Sequence, residues 1–459
     1  MTVKYQSQRV AYPYFVIALL LFALQVAMGL WLSLQYVFTI PQEIVNLFPF
    51  ATSRAMHTNL LVLWLLLGFM GATFYLVPEE AESELAWPKL AVFQLVLLVG
   101  TGVAALVGFL FGWTQGRPLL EIPTTLDFLV VAGALLFLAN VGVTLLRAKR
   151  WNAVQGTLLG GLVFLALMYL FGMPFYRNLA MDWYYWWWVI HLWVEGAWEL
   201  VTAAMAAYML IQLTGVDRRV VDRWLYVQLG LFLFTGIAGT GHHYYWLGAP
   251  QAWLWVGGVF SALEPLPIAL MLWDTWRSTA AGRKEQPKLI WVYVFGMAIL
   301  HFVGAGLFGF AHTLPQINYY THGSQVTVSH GHLAFFGAYA LLNLSFFYFA
   351  IPRLKGLPGG RYNERLGHWG FWLMTCGIIG MTLAFAVAGV LQTYLERVRG
   401  EPYMVAQEPM RFWMLIVFAH GLLVLAGVVV TVWHLLTLAP PRAVAAVAGT
   451  PARAEARTA

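Results

Sequence analysis

The chain has 459 residues, 61% of them hydrophobic and only 10% charged, with a mean hydropathy of +0.71. Soluble domains carry about 25% charged residues, so that class is excluded. The net charge of +6 is accounted for by topology, below, and does not point to nucleic acid.

Twelve apolar runs, each about 20 residues or longer, are expected to cross a bilayer as helices. The first, 13–38, exceeds the apolar part of a signal peptide and no small-residue cleavage site follows it, so it stays in the protein. The second, 55–77, opens on "MHTNLL", which places His57 near its start. Runs 88–113, 125–146 and 153–172 follow, and "GRPLLEIPTTLD" sets Glu121 in the loop between the third and fourth. The sixth, 184–213, begins with a block of Tyr and Trp and then reads "VIHLWVEGAWEL". His191, Glu195 and Glu199 are spaced there by four and four, on one face of a helix.

The seventh run, 221–246, closes on His242–His243, and the eighth, 251–275, holds Glu264 in "LEPLP". Runs 288–312 and 325–351 come next, the latter carrying His330 and His332 in "SHGHLAFFGAY". Runs 368–391 and 412–437 complete the set. The fold class expected is an all-α integral membrane bundle, one domain over 1–438, with low-complexity residues 439–459 as a disordered cytoplasmic tail. Cys376 is the single cysteine, which rules out an intrachain disulfide and a Cys-x-x-Cys-His heme attachment.

Lys and Arg in the loops set the orientation. With the N-terminus cytoplasmic, that side collects 20 of the 26 basic residues: Lys4, Arg9 and Lys89, three loop clusters around Arg147, Arg218 and Arg283–Lys284, the Arg353–Arg365 group, and Arg442, Arg453 and Arg457. Both termini are then inside. His57, His191, His242, His243, His330 and His332 all fall in the outer third of the membrane, on four different helices.

One intramembrane histidine is more often a hydrogen-bonding core residue than a ligand. Six at one depth point to metal, because imidazole is the commonest metal ligand. His301, His312, His322, His368, His420 and His434 are scattered and are read as structural. His330 and His332, two apart, point about 200° apart on a helix and serve different metals. Gly331 removes a side chain where two flat macrocycles would flank the backbone. His332 pairs naturally with His57 on one six-coordinate heme, leaving His330 as the single axial ligand of a second. His191, His242 and His243 remain for a third, non-heme metal. Glu195, one turn from His191, can reach that metal, and a hard oxygen ligand suits iron where three imidazoles alone suit copper. Glu199 and Glu264 lie near the same depth, and intramembrane carboxylates usually mark proton paths.

At these motifs, with "GTGHHYYW" and "THGSQVTV" besides, the chain resembles the heme–copper oxidase superfamily, and in it the nitric oxide reductases fed by cytochrome c. The resemblance runs through all twelve helices. It implies low-spin heme b on His57 and His332, high-spin heme b on His330, and non-heme iron on His191, His242, His243 and Glu195. It implies reduction of two NO to N2O and water in a bacterial inner membrane. A membrane-anchored cytochrome c subunit would pass on electrons from a soluble donor. A loop glutamate such as Glu121 often helps bind calcium in that family; the other reading of Glu121 is an ordinary solvated loop acid. Quinol-fed relatives carry an added N-terminal helix and a fused cytochrome-like domain, neither of which is expected here.

Two other functions compete. A cytochrome c oxidase would place a redox-active Tyr four residues after the helix-six His, where Glu195 stands, or on helix seven before the His pair, where "LFTGIAGTG" has none. A twelve-span secondary transporter would show internal repeats and paired broken helices. No Lys, Asp or Glu lies deep in the inner halves of the spans below Glu199 and Glu264, so substrate protons are expected from the outer side, without pumping.

Overall fold

A backbone in hydrocarbon has no hydrogen-bond partner but itself, so each apolar run closes into a helix. The computed structural model describes residues 3–279, 287–357 and 361–438. Twelve helices in it are long and apolar enough to cross a bilayer: α1 Gln6–Val37, α2 Phe50–Ala81, α3 Pro88–Leu110, α4 Thr124–Leu146, α5 Ala153–Phe171 and α6 Leu179–Thr214. The second half comprises α7 Arg218–His243, α8 Gln251–Ser278, α9 Lys288–Thr313, α10 Gln325–Leu354, α11 Arg365–Val398 and α12 Tyr403–Leu436. Among the described residues every regular element is helical. The expected tail at 439–459 lies outside the described residues, as do Arg283, Lys284, Arg442, Arg453 and Arg457.

Three helices form the centre. The most apolar windows of α2, α6 and α10 are 83%, 89% and 89% buried, against 33–56% in the other nine. Helices apolar all round belong inside a bundle, and those with one polar-poor lipid face surround them. The central three carry His57, His191 with Glu195, and His330 with His332. The Asn343 side chain ties α10 to α2, its Nδ2 donating to the Leu65 carbonyl at 3.1 Å. Gly68 permits this approach, since a Cβ there would stand 2.4 Å from that amide nitrogen. At the end rich in basic residues, the Arg218 guanidinium of α7 forks onto the Glu80 carboxylate of α2 at 2.7 and 3.0 Å. Asn152, the N-cap of α5, adds a hydrogen bond to the same carboxylate at 2.8 Å.

The helix ends depart from the expected runs. α2 and α12 begin at Phe50 and Tyr403 instead of 55 and 412, and α11 continues to Val398 instead of 391. These extra turns carry Arg54, Arg411 and Arg397, and with charged residues among them hydropathy no longer marks the helix. Short helices Gln42–Leu47 and Pro315–Thr321 fill two connections. Four spans also contain a widened π turn: Leu192–Ala197 in α6, Phe302–Phe308 in α9, Phe336–Ala340 in α10 and Tyr394–Val398 in α11. α8 is interrupted between Ser261 and Leu266, around Glu264 and Pro265.

Candidate metal centre

Two chain segments build the centre. His191 ends the regular first part of α6, and Glu195 lies within the wide turn that follows. α7 closes in a tight 3-10 turn, Thr240–His243, which delivers two adjacent imidazoles to the same point. The Glu195 carboxylate stands 3.2 Å from His191 Nδ1, 3.4 Å from His242 Nε2 and 3.3 Å from His243 Nε2. One ligand atom from each of the four residues falls within 4.8 Å of the others, and among the described residues no other such group of His, Cys, Asp or Glu forms. An ion bound at about 2.1 Å holds opposite ligands about 4.2 Å apart, so the set needs only small shifts to close on one. Trp187 stacks flat on His243, ring centroids 5.1 Å apart at 9°, and fixes its plane.

The donors have little else to bind. Apart from the Glu195 carboxylate, His191 Nδ1 and Nε2, His242 Nδ1 and His243 Nε2 are buried without a partner. A buried polar atom left unsatisfied costs about 1–3 kcal/mol, a cost that a shared cation would remove for the nitrogens Glu195 does not reach. The residues present therefore fit a metal ion.

His57 and His332 face each other from α2 and α10, ring centroids 6.2 Å apart and 27° from parallel. Two metal–nitrogen bonds of about 2 Å plus the two ring radii add to about 6 Å, the separation that one ion between them requires. Their Nδ1 atoms contact the Gln25 and Val328 carbonyls, each at 2.8 Å. Such a bond puts the proton on Nδ1 and leaves the Nε2 lone pair to ligate, although in His57 the Gln25 amide nitrogen stands 3.2 Å from that Nε2 and would give way to a metal. His330 points elsewhere, its Nδ1 3.1 Å from the Gly304 carbonyl of α9. A Cβ at Gly331, between the two histidines, would meet no protein atom within 4 Å. That cradle fits flat macrocycles beside the backbone.

The wide turn also places Glu199. Eight residues along a regular helix turn a side chain about 80° off the His191 stripe. A π turn acts as one inserted residue and brings that offset back to about 20°. Glu199 is buried and accepts from Gln228 Nε2 at 3.0 Å. Glu264 is buried too, with Oε1 unpartnered and the Ser261 hydroxyl 3.5 Å from Oε2. Gly239 makes room for His191: a Cβ there would stand 3.2 Å from its Nε2, with Glu264 Oε1 at an ordinary contact distance of 3.7 Å.

Glu121 is not a solvated loop acid. It is 2% exposed, accepts from Asn59 Nδ2 at 2.6 Å and pairs with Arg54 Nη2 at 3.6 Å. Burial pushes its carboxyl above the ordinary value, against the Asn59 hydrogen bond and the Arg54 charge. Among the histidines read as structural, His312 has both ring nitrogens near threonine hydroxyls, Thr321 at 3.1 Å and Thr327 at 3.2 Å.

Sequence reasoning missed Gln228, Asn59 and Gly239. The first two were open to the same rule that exposed the histidines, since each is a polar side chain within an apolar run.

Residues 9–423 match the family described as cytochrome c and quinol oxidase polypeptide I. A nitric oxide reductase subunit from Stutzerimonas stutzeri is 45% identical over 93% of this chain and 94% of its own. Cytochrome c oxidase subunit 1 of Rhodobacter capsulatus is 23% identical over 76% of this chain and 68% of its own. A solved heme–copper terminal oxidase dimer shares the fold with a TM-score of 0.73, at 15% identity, over 96% of this chain and 86% of that one.

Removing the single oxygen donor from the four-ligand group should cost the centre its metal. Glu195→Ala is expected to purify with less metal at this centre and unchanged binding at His57, His330 and His332. Elemental analysis beside an absorption spectrum checks this, and full metal content would show that the carboxylate is not a ligand.

Proposed function

This chain belongs to the cytochrome c and quinol oxidase polypeptide I family, the heme–copper oxidases, and we propose that it is the catalytic subunit of a cytochrome c-dependent nitric oxide reductase. It is a multi-pass bacterial membrane protein with heme and metal cofactors. The observation that carries the reading is Glu195, a carboxylate within 3.4 Å of three imidazoles at the position where most oxidases carry tyrosine.

His57 and His332 would hold a low-spin heme b, His330 a high-spin heme b, and His191, His242, His243 and Glu195 a non-heme iron. When bound, these groups would supply the electrons and metal sites for 2 NO + 2 electrons + 2 protons → N2O + water. The protein's part is to orient and to deliver protons. Holding both substrate molecules in one pocket turns an encounter of three bodies into a reaction within a complex. Glu195 adds negative charge and a hard donor that favours iron over copper. Glu199 and Glu264 hold protons near the iron ligands, with Gln228 fixing Glu199 and Gly239 giving His191 its place.

His57 and His332 would hold the heme that takes electrons from a membrane-anchored cytochrome c subunit, itself supplied by a soluble donor. Glu121 supplies one carboxylate to a calcium ion near that partner, a hard oxygen donor held buried at the outer loop by Asn59 and Arg54. Both termini face the cytoplasm and the metals lie toward the periplasm. α6 carries no Asp, Glu or Lys between Glu199 and its inner end, which supports protons arriving from the periplasmic side.

The test is the chain with its cytochrome c partner in liposomes, given NO and an external electron donor without oxygen. N2O should form while internal pH and membrane voltage stay constant. Fully heme-loaded enzyme that consumes no NO would overturn the reductase, and internal alkalinisation during turnover would overturn the periplasmic proton route. Calcium titration offers a second check. A proton competes for the Glu121 carboxyl at higher pH than for an ordinary glutamate, so calcium affinity should fall as neutral solution is made mildly acidic. An affinity independent of pH over that range would exclude Glu121 as a ligand.

A further inference from the structure

The wide turn that places Glu195 is itself held from another helix. In it the Trp198 N–H reaches back five residues to the Trp193 carbonyl, so the usual four-residue ladder is broken beside the metal ligands. The Val194 carbonyl accepts a hydrogen bond from the Tyr339 hydroxyl at 2.8 Å. The carbon of that carbonyl is bonded to the Glu195 nitrogen, so fixing the oxygen fixes the peptide plane from which the Glu195 side chain departs.

Tyr339 stands in a wide turn of its own, Phe336–Ala340, on the helix that bears His330 and His332. That turn is wedged in place, because a Cβ at Gly337 would lie 2.5–2.7 Å from the Leu300–His301 backbone of α9. The Tyr339 ring is 6% exposed and packs edge-on against Trp198 at 5.2 Å and Phe69 at 6.1 Å. Two irregular turns, one on the heme-ligand helix and one on the carboxylate helix, thus share one hydrogen bond.

We propose that Tyr339 is a positioning residue that sets the reach of Glu195 toward the His191, His242 and His243 nitrogens through the Val194 carbonyl. The inference rests on the metal site assigned above. Without the hydroxyl, the wide turn relaxes toward a regular ladder, Glu195 withdraws from the imidazoles, and the ion loses its oxygen ligand. Outer-shell groups that orient metal ligands change metal affinity by about 10–100-fold when removed.

The experiment compares Tyr339→Phe with Phe69→Leu in the holoenzyme with its cytochrome c partner. Non-heme iron per heme is measured directly, and again after chelation and titration with ferrous iron. Tyr339→Phe keeps the ring and its packing, so its melting curve should stay near wild type while iron affinity drops by about 10–100-fold. Phe69→Leu removes a ring from the same cluster and leaves the hydroxyl, so it should lower the melting temperature and keep the iron. Wild-type affinity in Tyr339→Phe, or equal loss of iron in both variants, would overturn the inference. Wild-type enzyme without any non-heme metal would instead sink the site assignment and this inference together.

Discussion

Three imidazoles and a carboxylate cannot stand idle inside hydrocarbon. A single Asp at the centre of a membrane helix costs about 2.5–3.5 kcal/mol to insert, and buried orphan nitrogens add to that. A cation shared by His191, Glu195, His242 and His243 would cancel both costs at once. Much of the architecture follows from making that possible. α2, α6 and α10 are enclosed by nine other helices, so ligands on them are shielded from lipid and from bulk water. The 3-10 end of α7 and the wide turn of α6 each break regular geometry where ligands must converge. Irregular backbone at membrane depth is tolerated only where protein buries it, and Tyr339 does so for α6.

The same irregularities explain what could be read from the amino acids alone. The twelve spans were legible because hydropathy is a sum over many residues and survives local error. The six histidines stood out because their depth along each span is fixed by 1.5 Å per residue, whatever the neighbours do. Glu195 was legible from its distance of one turn from His191. Glu199 was legible too, eight residues from His191 on the same broad face, but the π turn that brings it from about 80° to about 20° off the metal stripe has no sequence signature. The interruption of α8 at Glu264 was half visible in "LEPLP", since prolines forbid a continuous ladder there. The Tyr339–Val194 bond joins residues 145 apart in the chain, and the close approach of Gly239 to His191 depends on how α6 meets α7. Such pairings are properties of packing and cannot be found by reading along one helix.

The reductase and oxidase readings share a fold and nearly all their histidines, so the difference rests on few atoms. A phenol next to the metal can surrender an electron and a proton when dioxygen is split. A carboxylate cannot, but it can bind a hard metal and carry a proton. The centre here has the carboxylate, with two further buried acids nearby. That chemistry matches a reaction which consumes two protons with two electrons and leaves no O–O bond to break. The transporter reading fares worse: among the described residues one group of three histidines and a glutamate could hold a metal ion, and His57 and His332 face each other with ring centroids 6.2 Å apart.

The most direct measurement is the identity of the non-heme metal, by elemental analysis with Mössbauer spectroscopy on iron-57-enriched protein. The account predicts one iron per chain in a nitrogen and oxygen environment besides the two hemes, with copper absent. Copper in that position, at one per chain, would contradict it.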